Sequence, residues 1–461
     1  MIPIQRAGGE ALPIATERRV VPALLVVGVL LIAQQTLLWW LYYHGQDKQL
    51  VGDEVHYLAG ARSILAGGPW DQSALWPPAQ ALFIAAILLL GKSVLAVQIV
   101  QMLLFLGCGL LLWHLWSRLS GNATAGALAA ALFLVNPSDA AYAQYLWPEI
   151  PHLFCLLLAL DLLLARRPSR IAALGAGLSI GLALLFKSLL TGFWPVLLLC
   201  FVTWRPLKVR WSGAGLFVLG VAITIAPAVI AGHRDTGRWS IADSSAINLL
   251  IGLDDSARND YIPGPSATLF AAYEASGSDA QQRDRWAWQQ IRERLRNTPP
   301  LTLIGAQLDR QYFRLFESKT LLLTQLPGPR CAGYLGSYSP RPSGLVGIVR
   351  WSSHLGHALM LVGFAFGLCL RRNWREPWLW ILFALLGYQL ALYLGLHVQA
   401  RYLLPMTPIF CGFAGDAVAR LGPEASRVAV HRGALFVGAA LAALLLWLAF
   451  AAPWIDGYCR F

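Results

Sequence analysis

The chain has 461 residues, of which 57% are hydrophobic and only 13% charged, and its mean hydropathy is +0.55. No ordinary globular core hides that much apolar surface, so a water-soluble enzyme is excluded and an all-α polytopic membrane protein is indicated. The net charge of +12 does not point to nucleic acid, because Lys and Arg fall in short clusters between apolar runs, where they act as a topology signal.

Residues 1–19 are polar and basic and read as a cytoplasmic tail. Arg18-Arg19 lead into an apolar segment that is too long for a cleavable signal peptide and has no small-residue cleavage site. The first span covers 20–43, and the outer loop that follows, 44–92, opens with Gly52-Asp53-Glu54-Val55-His56-Tyr57. Helix formers run from Glu54 to Ala66, Asp53 stands at the N-cap position, and Gly67-Gly68 supply a stop. This helix is too short to cross a bilayer. It is expected to lie along the interface, with Val55, Leu58, Ala59 and Leu65 toward lipid and Asp53, Glu54 and His56 toward a cavity. The plainer alternative is that Asp53 only caps the helix and Glu54 only complements its positive end.

The segment 77–91 begins with Pro77-Pro78 and holds about 15 residues, short of the roughly 20 that a span needs. It reads as re-entrant or interfacial. Apolar runs at 93–116, 122–138, 150–165, 171–186, 189–204, 211–231, 345–370, 377–396, 402–419 and 433–453 complete about 11 transmembrane helices. With 77–91 not crossing, the basic clusters at Arg118, Arg170, Arg210, Arg371 and Arg420 share the cytoplasmic face with the N-terminus. The C-terminus then lies outside, as does a loop region of about 110 residues, 232–342. That region carries a predicted helix at 279–297, with Trp286 and Trp288 at the headgroups, and no evident core of its own. The chain thus divides into the tail, a transmembrane catalytic module (20–231), the outer region and C-terminal transmembrane helices (343–461). Cys108, Cys155, Cys200, Cys369 and Cys411 lie in or beside apolar runs as inert fillers, whereas Cys331 and Cys459 are placed outside, where a disulfide between them would persist.

Ionisable residues at the ends of apolar spans are costly and therefore functional candidates. Glu149 opens a span between Pro148 and Pro151, Lys187 ends one, and Arg401 begins one at its outer end, against the positive-inside bias. The plainer readings are a dipole partner for Glu149 and a snorkelling anchor for Lys187.

Taken in order, Gly52-Asp53-Glu54, Pro77-Pro78, Leu185-Phe186-Lys187, Asn248-Leu249-Leu250-Ile251-Gly252 and Arg401-Tyr402-Leu403-Leu404-Pro405 resemble the C-type-fold integral-membrane glycosyltransferases, the superfamily of protein O-mannosyltransferases and lipid A aminoarabinose transferases. The resemblance covers about 45–415 and lies in the order and sidedness of the five elements rather than in any one of them. Trp76 stands where the family often has a Lys before Pro-Pro, so that phosphate contact is either missing or supplied by Arg62 or Lys92. Asp139 and Glu149 both stand where relatives carry an Asp on the second outer loop, and either can correspond. The chain ends at Phe461 without the larger soluble domain of the aminoarabinose transferases, which points away from that acceptor.

The resemblance implies transfer of a sugar, hexose or pentose, from a polyprenyl-phosphate-linked donor to an acceptor hydroxyl on a glycan, lipid or protein. The reaction takes place on the outer face of the plasma (inner) membrane and inverts the anomeric carbon. Asp53, or failing it Glu54, is the expected general base. Arg401 and Lys187, with Arg62 and Lys92, are expected at the donor phosphate, and His56, Tyr57, Asp139, Glu149, Asn248 and Tyr402 at the substrates. No cofactor is named by the residues; a divalent metal bridging Asp53 and phosphate is left open. The rival readings are an outer-face oligosaccharide ligase or polymerase with a pyrophosphate-linked donor, and a polytopic lipid or solute transporter, whose internal repeat is not found.

Overall fold

The structure, a computed structural model, describes residues 28–29, 50, 52–68, 75–164, 169–203, 207–237, 239–242, 244–254, 265–318, 343–371, 373–421 and 432–451. The tail, nearly all of the first predicted span, and both Cys331 and Cys459 lie outside the described residues. Among the described residues every regular element is helical.

Among the described residues four helices are long and apolar enough to cross a membrane: Val94–Ser120, Trp211–Arg234, Gly347–Leu370 and Arg432–Phe450. A fifth span is counted if Pro137–Gln144 and Glu149–Leu163, bent by 113°, form one broken crossing. By length and composition the described residues support four or five spans, short of the expected 11, and nearly all of the first predicted span lies outside them. Ala79–Gly91, Ala123–Val135, Arg170–Phe186 and Pro377–Leu392 are shorter apolar helices. The predicted span 189–204 is not one helix. It is broken into turns Ser188–Leu190 and Trp194–Leu198 and a short helix Leu199–Thr203, around Gly192 and Pro195, which disfavour a continuous α-helix.

The elements that position the site are α1 (Glu54–Leu65), α2 (Ala79–Gly91), α3 (Val94–Ser120), α4 (Glu149–Leu163), α5 (Arg170–Phe186), α6 (Leu207–Thr236), α7 (Ser244–Leu253), α8 (Ala280–Asn297), α9 (Ser343–Leu370), α10 (Pro377–Leu392) and α11 (Thr407–Leu421). Their caps follow the sequence. Ser93 Oγ accepts from Ala96 N–H at α3, Ser169 Oγ from Ala172 N–H at α5, and Asp279 Oδ1 from Gln282 N–H at α8. Gly67, at φ 81, ends the first turn after α1. Packing of α9 on α11 depends on small residues. A Cβ on Gly367 would collide with the Phe413 carbonyl and one on Gly363 would lie 2.5 Å from Ala414 Cβ, so the two backbones touch as apolar helices in a membrane do.

Two departures concern amphipathicity. Leu58 is buried in the main core rather than facing lipid, together with Tyr57 and Ala61, while Val55 and Leu65 are exposed as expected. Residues from 232–342 join Leu75 in a small second core, in which Leu75, Ala246, Ile247, Leu250, Ile251, Tyr273, Ala287 and Ile291 pack together. Trp286 packs against that core, and Trp288 stays exposed. The three-to-four-residue spacing on α7 and α8 encodes this seam, but its partners are distant in sequence.

The bundle separates its charges by end. At one end Arg118 Nη2 lies 2.5 Å from Asp161, which His114 Nδ1 also contacts at 2.9 Å. Arg371 Nη1 pairs with Asp416 at 2.8 Å, and Trp116 Nε1 donates to the same carboxylate at 3.2 Å. These groups sit at the C-terminal ends of α3, α4, α9 and α11, so the basic clusters named from sequence converge. At the other end lie Asp53, Glu149, Lys187 and Arg401. Glu149 and Asp161 belong to opposite ends and stand on one helix, α4, 12 positions apart, which separates the two ends by about 18 Å along its axis. We predict that cysteines replacing Lys92 and Asp279 are labelled by an impermeant thiol reagent on intact cells, and that cysteines replacing Thr124 and Ile171 are protected. The opposite pattern reverses the orientation.

Candidate functional site

Asp53 occupies the N-cap position of α1 but makes no side-chain cap bond. Its carboxylate is instead taken by Arg401, whose Nη2 lies 2.8 Å from Asp53 Oδ2. The two residues are 348 positions apart in sequence, so the plainer reading of Asp53 as a cap does not describe its contact. Arg401 is carried by a 3-10 turn, Ala400–Leu403, because Pro405 and Pro408 delay the start of α11. Its Nε approaches Glu149 Oε1 at 3.8 Å, and Lys187 Nζ reaches the same oxygen at 3.0 Å. Asp53, Arg401, Glu149 and Lys187 therefore form one alternating chain of charge. All four side chains are at least three-quarters buried, at 21%, 12%, 2% and 13% exposure respectively.

Aromatic rings bracket the cations. The Arg401 guanidinium lies 4.8 Å from the Trp147 ring and 5.5 Å from the Tyr402 ring, and Lys187 Nζ lies 4.9 Å from Tyr402. Such contacts favour a cation most where water is scarce. Tyr402 in turn stacks on Tyr393 at 5.2 Å. Tyr57 is buried beside Trp76. Burial raises the phenol of Tyr57 above its ordinary value, with Arg401 opposing, so it is a neutral hydroxyl near neutral pH.

Tyr402 also lines a cavity of about 480 Å³, whose walls include Ser188, Trp239, Asn248, Tyr388 and His397. That volume is in the range of small-molecule sites. Most of its lining is apolar, with hydroxyls, an amide and aromatic rings among the side chains, and Tyr402 links it to the charge chain. The Asn-Leu-Leu-Ile-Gly element forms part of this wall because it docks on the turn before Arg401. Asn248 O accepts from His397 N–H at 3.0 Å, and a Cβ on Gly252 would lie 2.2 Å from Gly395 O.

Of the residues named from sequence, Asp53, Glu149, Lys187, Arg401, Tyr402 and Asn248 are brought together around this site. Glu54 is fully buried, and its Oε1 accepts from Leu146 N–H at 2.7 Å. Asp139 is buried and accepts from Asn136 Nδ2 at 2.8 Å, off the charge chain. Arg62 and Lys92 are exposed and lie outside the chain, while His56 is exposed with its ring 6.1 Å from Trp76. Trp147 was not anticipated. Its signal was present, since an aromatic immediately before Pro148-Glu149 at a span entrance is placed to cover a charge. Among the described residues no three of His, Cys, Asp and Glu converge as a metal ligand set.

No protein-family model matches the sequence, and no curated protein matches it significantly. Among solved structures the chain is similar to the archaeal oligosaccharyltransferase AglB from Archaeoglobus fulgidus, in complex with an inhibitory peptide and a dolichol-phosphate. The TM-score is 0.54 at 12% identity, over 95% of this chain and 55% of that one. The chain thus spans about half the length of that protein. Two structures of ArnT from Cupriavidus metallidurans also align, each with a TM-score of 0.38. The apo state shows 16% identity over 85% of this chain and 76% of that one. The state bound to undecaprenyl phosphate shows 14% identity over 86% and 78%. The likeness to AglB shows a shared fold.

Proposed function

We propose that the chain transfers a sugar from a polyprenyl-phosphate-linked donor to an acceptor hydroxyl at the outer face of the plasma membrane. The observation that carries this reading is the pairing of Asp53 with Arg401, beside Lys187 and Glu149, next to Tyr402, which both cations approach and which also lines a largely apolar cavity. A carboxylate and two cations held together, largely out of water, match the needs of the reaction. The acceptor O–H proton passes to Asp53, the acceptor oxygen bonds to the anomeric carbon, and the bond from that carbon to the phosphate oxygen breaks. Polyprenyl phosphate departs with the electron pair, and Arg401 and Lys187 stabilise the charge it gains. Arg401 binds phosphate as a planar fork and Lys187 as a point charge. A single displacement of this kind inverts the anomeric carbon.

Both cations are engaged by carboxylates. An incoming phosphate therefore competes with Asp53 for Arg401, and binding of donor releases the base for the acceptor. The substrates are expected to bind in order, donor first. Glu149, which contacts both cations, holds them when the phosphate leaves.

The test is intact-lipid and glycan mass spectrometry of cells with and without the protein. The expected result is one glycan, lipid or protein lacking a single sugar and one polyprenyl-phosphate sugar accumulating. Accumulation of a pyrophosphate-linked oligosaccharide instead favours the ligase reading. No change in any lipid-linked sugar overturns the assignment.

A further inference from the structure

Residues 145–148 join the 3-10 turn Tyr142–Gln144 to α4. They are neither helix nor strand and, like the turn before them, lie buried within the helical bundle, with Ala143, Tyr145 and Leu146 at 0% exposure. Irregular backbone in such surroundings is tolerated only when its polar groups find partners. Those partners come from four side chains on three other elements. Gln98 Nε2 donates to Gln144 O at 2.7 Å, and Gln101 Nε2 donates to Ala143 O at 3.2 Å and also to Tyr145 O. Gln80 Nε2 donates to Leu146 O at 2.8 Å, and Glu54 Oε1 accepts from Leu146 N–H at 2.7 Å. Leu146 is therefore gripped on both of its backbone groups. Gln98 and Gln101 are three apart on one face of α3, where an apolar helix has no other use for two buried amides. A neutral amide suits the task, since it donates to carbonyls without bringing a charge into the core.

The grip reaches the charge chain through a closed circuit. Glu54 follows Asp53 in the chain, and Glu54 holds Leu146. Trp147 follows Leu146, and its ring stacks on Tyr145 at 4.1 Å and covers Arg401 at 4.8 Å. Arg401 returns to Asp53 at 2.8 Å. Displacing any link alters the separation of the carboxylate from the guanidinium.

We propose that Glu54, Gln80, Gln98 and Gln101 are positioning residues. Clamping backbone 143–146, they set, through Trp147, where Arg401 stands against Asp53. The role assigned to Arg401 rests on the function proposed above, whereas the clamp itself does not. Glu54 on this account acts as a hydrogen-bond acceptor rather than as a base, which separates it from Asp53 although the two are adjacent.

The experiment uses the full chain in lipid nanodiscs, with two measurements: amide hydrogen exchange over 143–147 and the affinity for farnesyl phosphate as a short polyprenyl phosphate. Glu54→Ala and Gln101→Leu are expected to speed exchange in this segment and to weaken farnesyl phosphate by about tenfold or more, as small misplacements at a site do. Glu54→Gln, which keeps an acceptor oxygen for Leu146 N–H, is expected to rescue both. If Gln101→Leu fails to fold, the comparison of Glu54→Ala with Glu54→Gln carries the test. Faster exchange with farnesyl phosphate affinity unaltered would make the clamp a stability element only and overturn the proposal. Glu54→Gln as damaging as Glu54→Ala, with exchange at the wild-type rate, would do the same by returning Glu54 to a chemical role. Failure of the wild type to bind farnesyl phosphate counts against the functional reading, and the clamp then stands or falls on exchange alone.

Discussion

Asp53→Asn is expected to lower turnover by about two orders of magnitude or more, with expression, membrane insertion and thermal melting close to the parent. The side chain makes no cap bond, so its loss does not unravel α1. Asparagine keeps volume and an acceptor oxygen for Arg401 Nη2, now 2.8 Å from Asp53 Oδ2, so the guanidinium keeps its seat. What asparagine cannot do is take up the acceptor's proton. The measurement is product formation per mole of folded protein, with melting as the control. Near-normal turnover would remove Asp53 as the base and favour a ligase-type reaction on a pyrophosphate-linked donor, which relies less on a carboxylate.

The second large effect is expected at Arg401. Its guanidinium reaches two carboxylates through different nitrogens, Nη2 to Asp53 at 2.8 Å and Nε toward Glu149 at 3.8 Å, while lying over two aromatic rings. Lysine preserves the charge but cannot span that arrangement or bind phosphate through two nitrogens at once. Arg401→Lys is therefore expected to raise the donor concentration needed for half-maximal rate by about 10- to 100-fold, as the loss of charged hydrogen bonds worth about 1.5–3 kcal/mol would. Arg401→Ala is expected to cost about 10²–10³ in kcat as well, since the departing phosphate loses one of its two cations. It also leaves Glu149 with Lys187 alone, 3.0 Å away. A donor titration that does not move in Arg401→Lys would reduce this residue to a structural partner of Asp53.

Much of this site was legible because its parts obey local rules. An acid immediately after a membrane segment, a lysine ending an apolar helix, and an arginine where the positive-inside bias disfavours one are each anomalies of placement, and each lies on the charge chain. Apolar runs likewise identify helices from composition alone. They do not say which runs are continuous, since the break at Gly192 and Pro195 interrupts a stretch whose mean hydropathy remains high. Nor do they say which face of a short helix is buried. Leu58 was assigned to lipid because α1 was read by itself, yet it packs into the core.

What the sequence by itself determined was the all-helical membrane class, the ends of helices marked by Ser93, Ser169, Asp279 and Gly67, and the set of ionisable residues too costly to be incidental. These depend on neighbours within a few positions and on transfer free energy, both of which can be read along a chain. Only the tertiary structure decided partnership. It placed Arg401 on Asp53 rather than on Glu149 alone, Asp139 on Asn136, and Glu54 on the backbone of Leu146, 92 positions away. Such choices turn on differences of an ångström between groups set by helix packing, and a polar side chain in an apolar helix advertises that it needs a partner without saying which. Gln98 and Gln101 are the plainest case. Two amides on one face of a membrane helix signal an obligation, and the carbonyls that meet it belong to a bend the sequence shows only as a run without helix or strand.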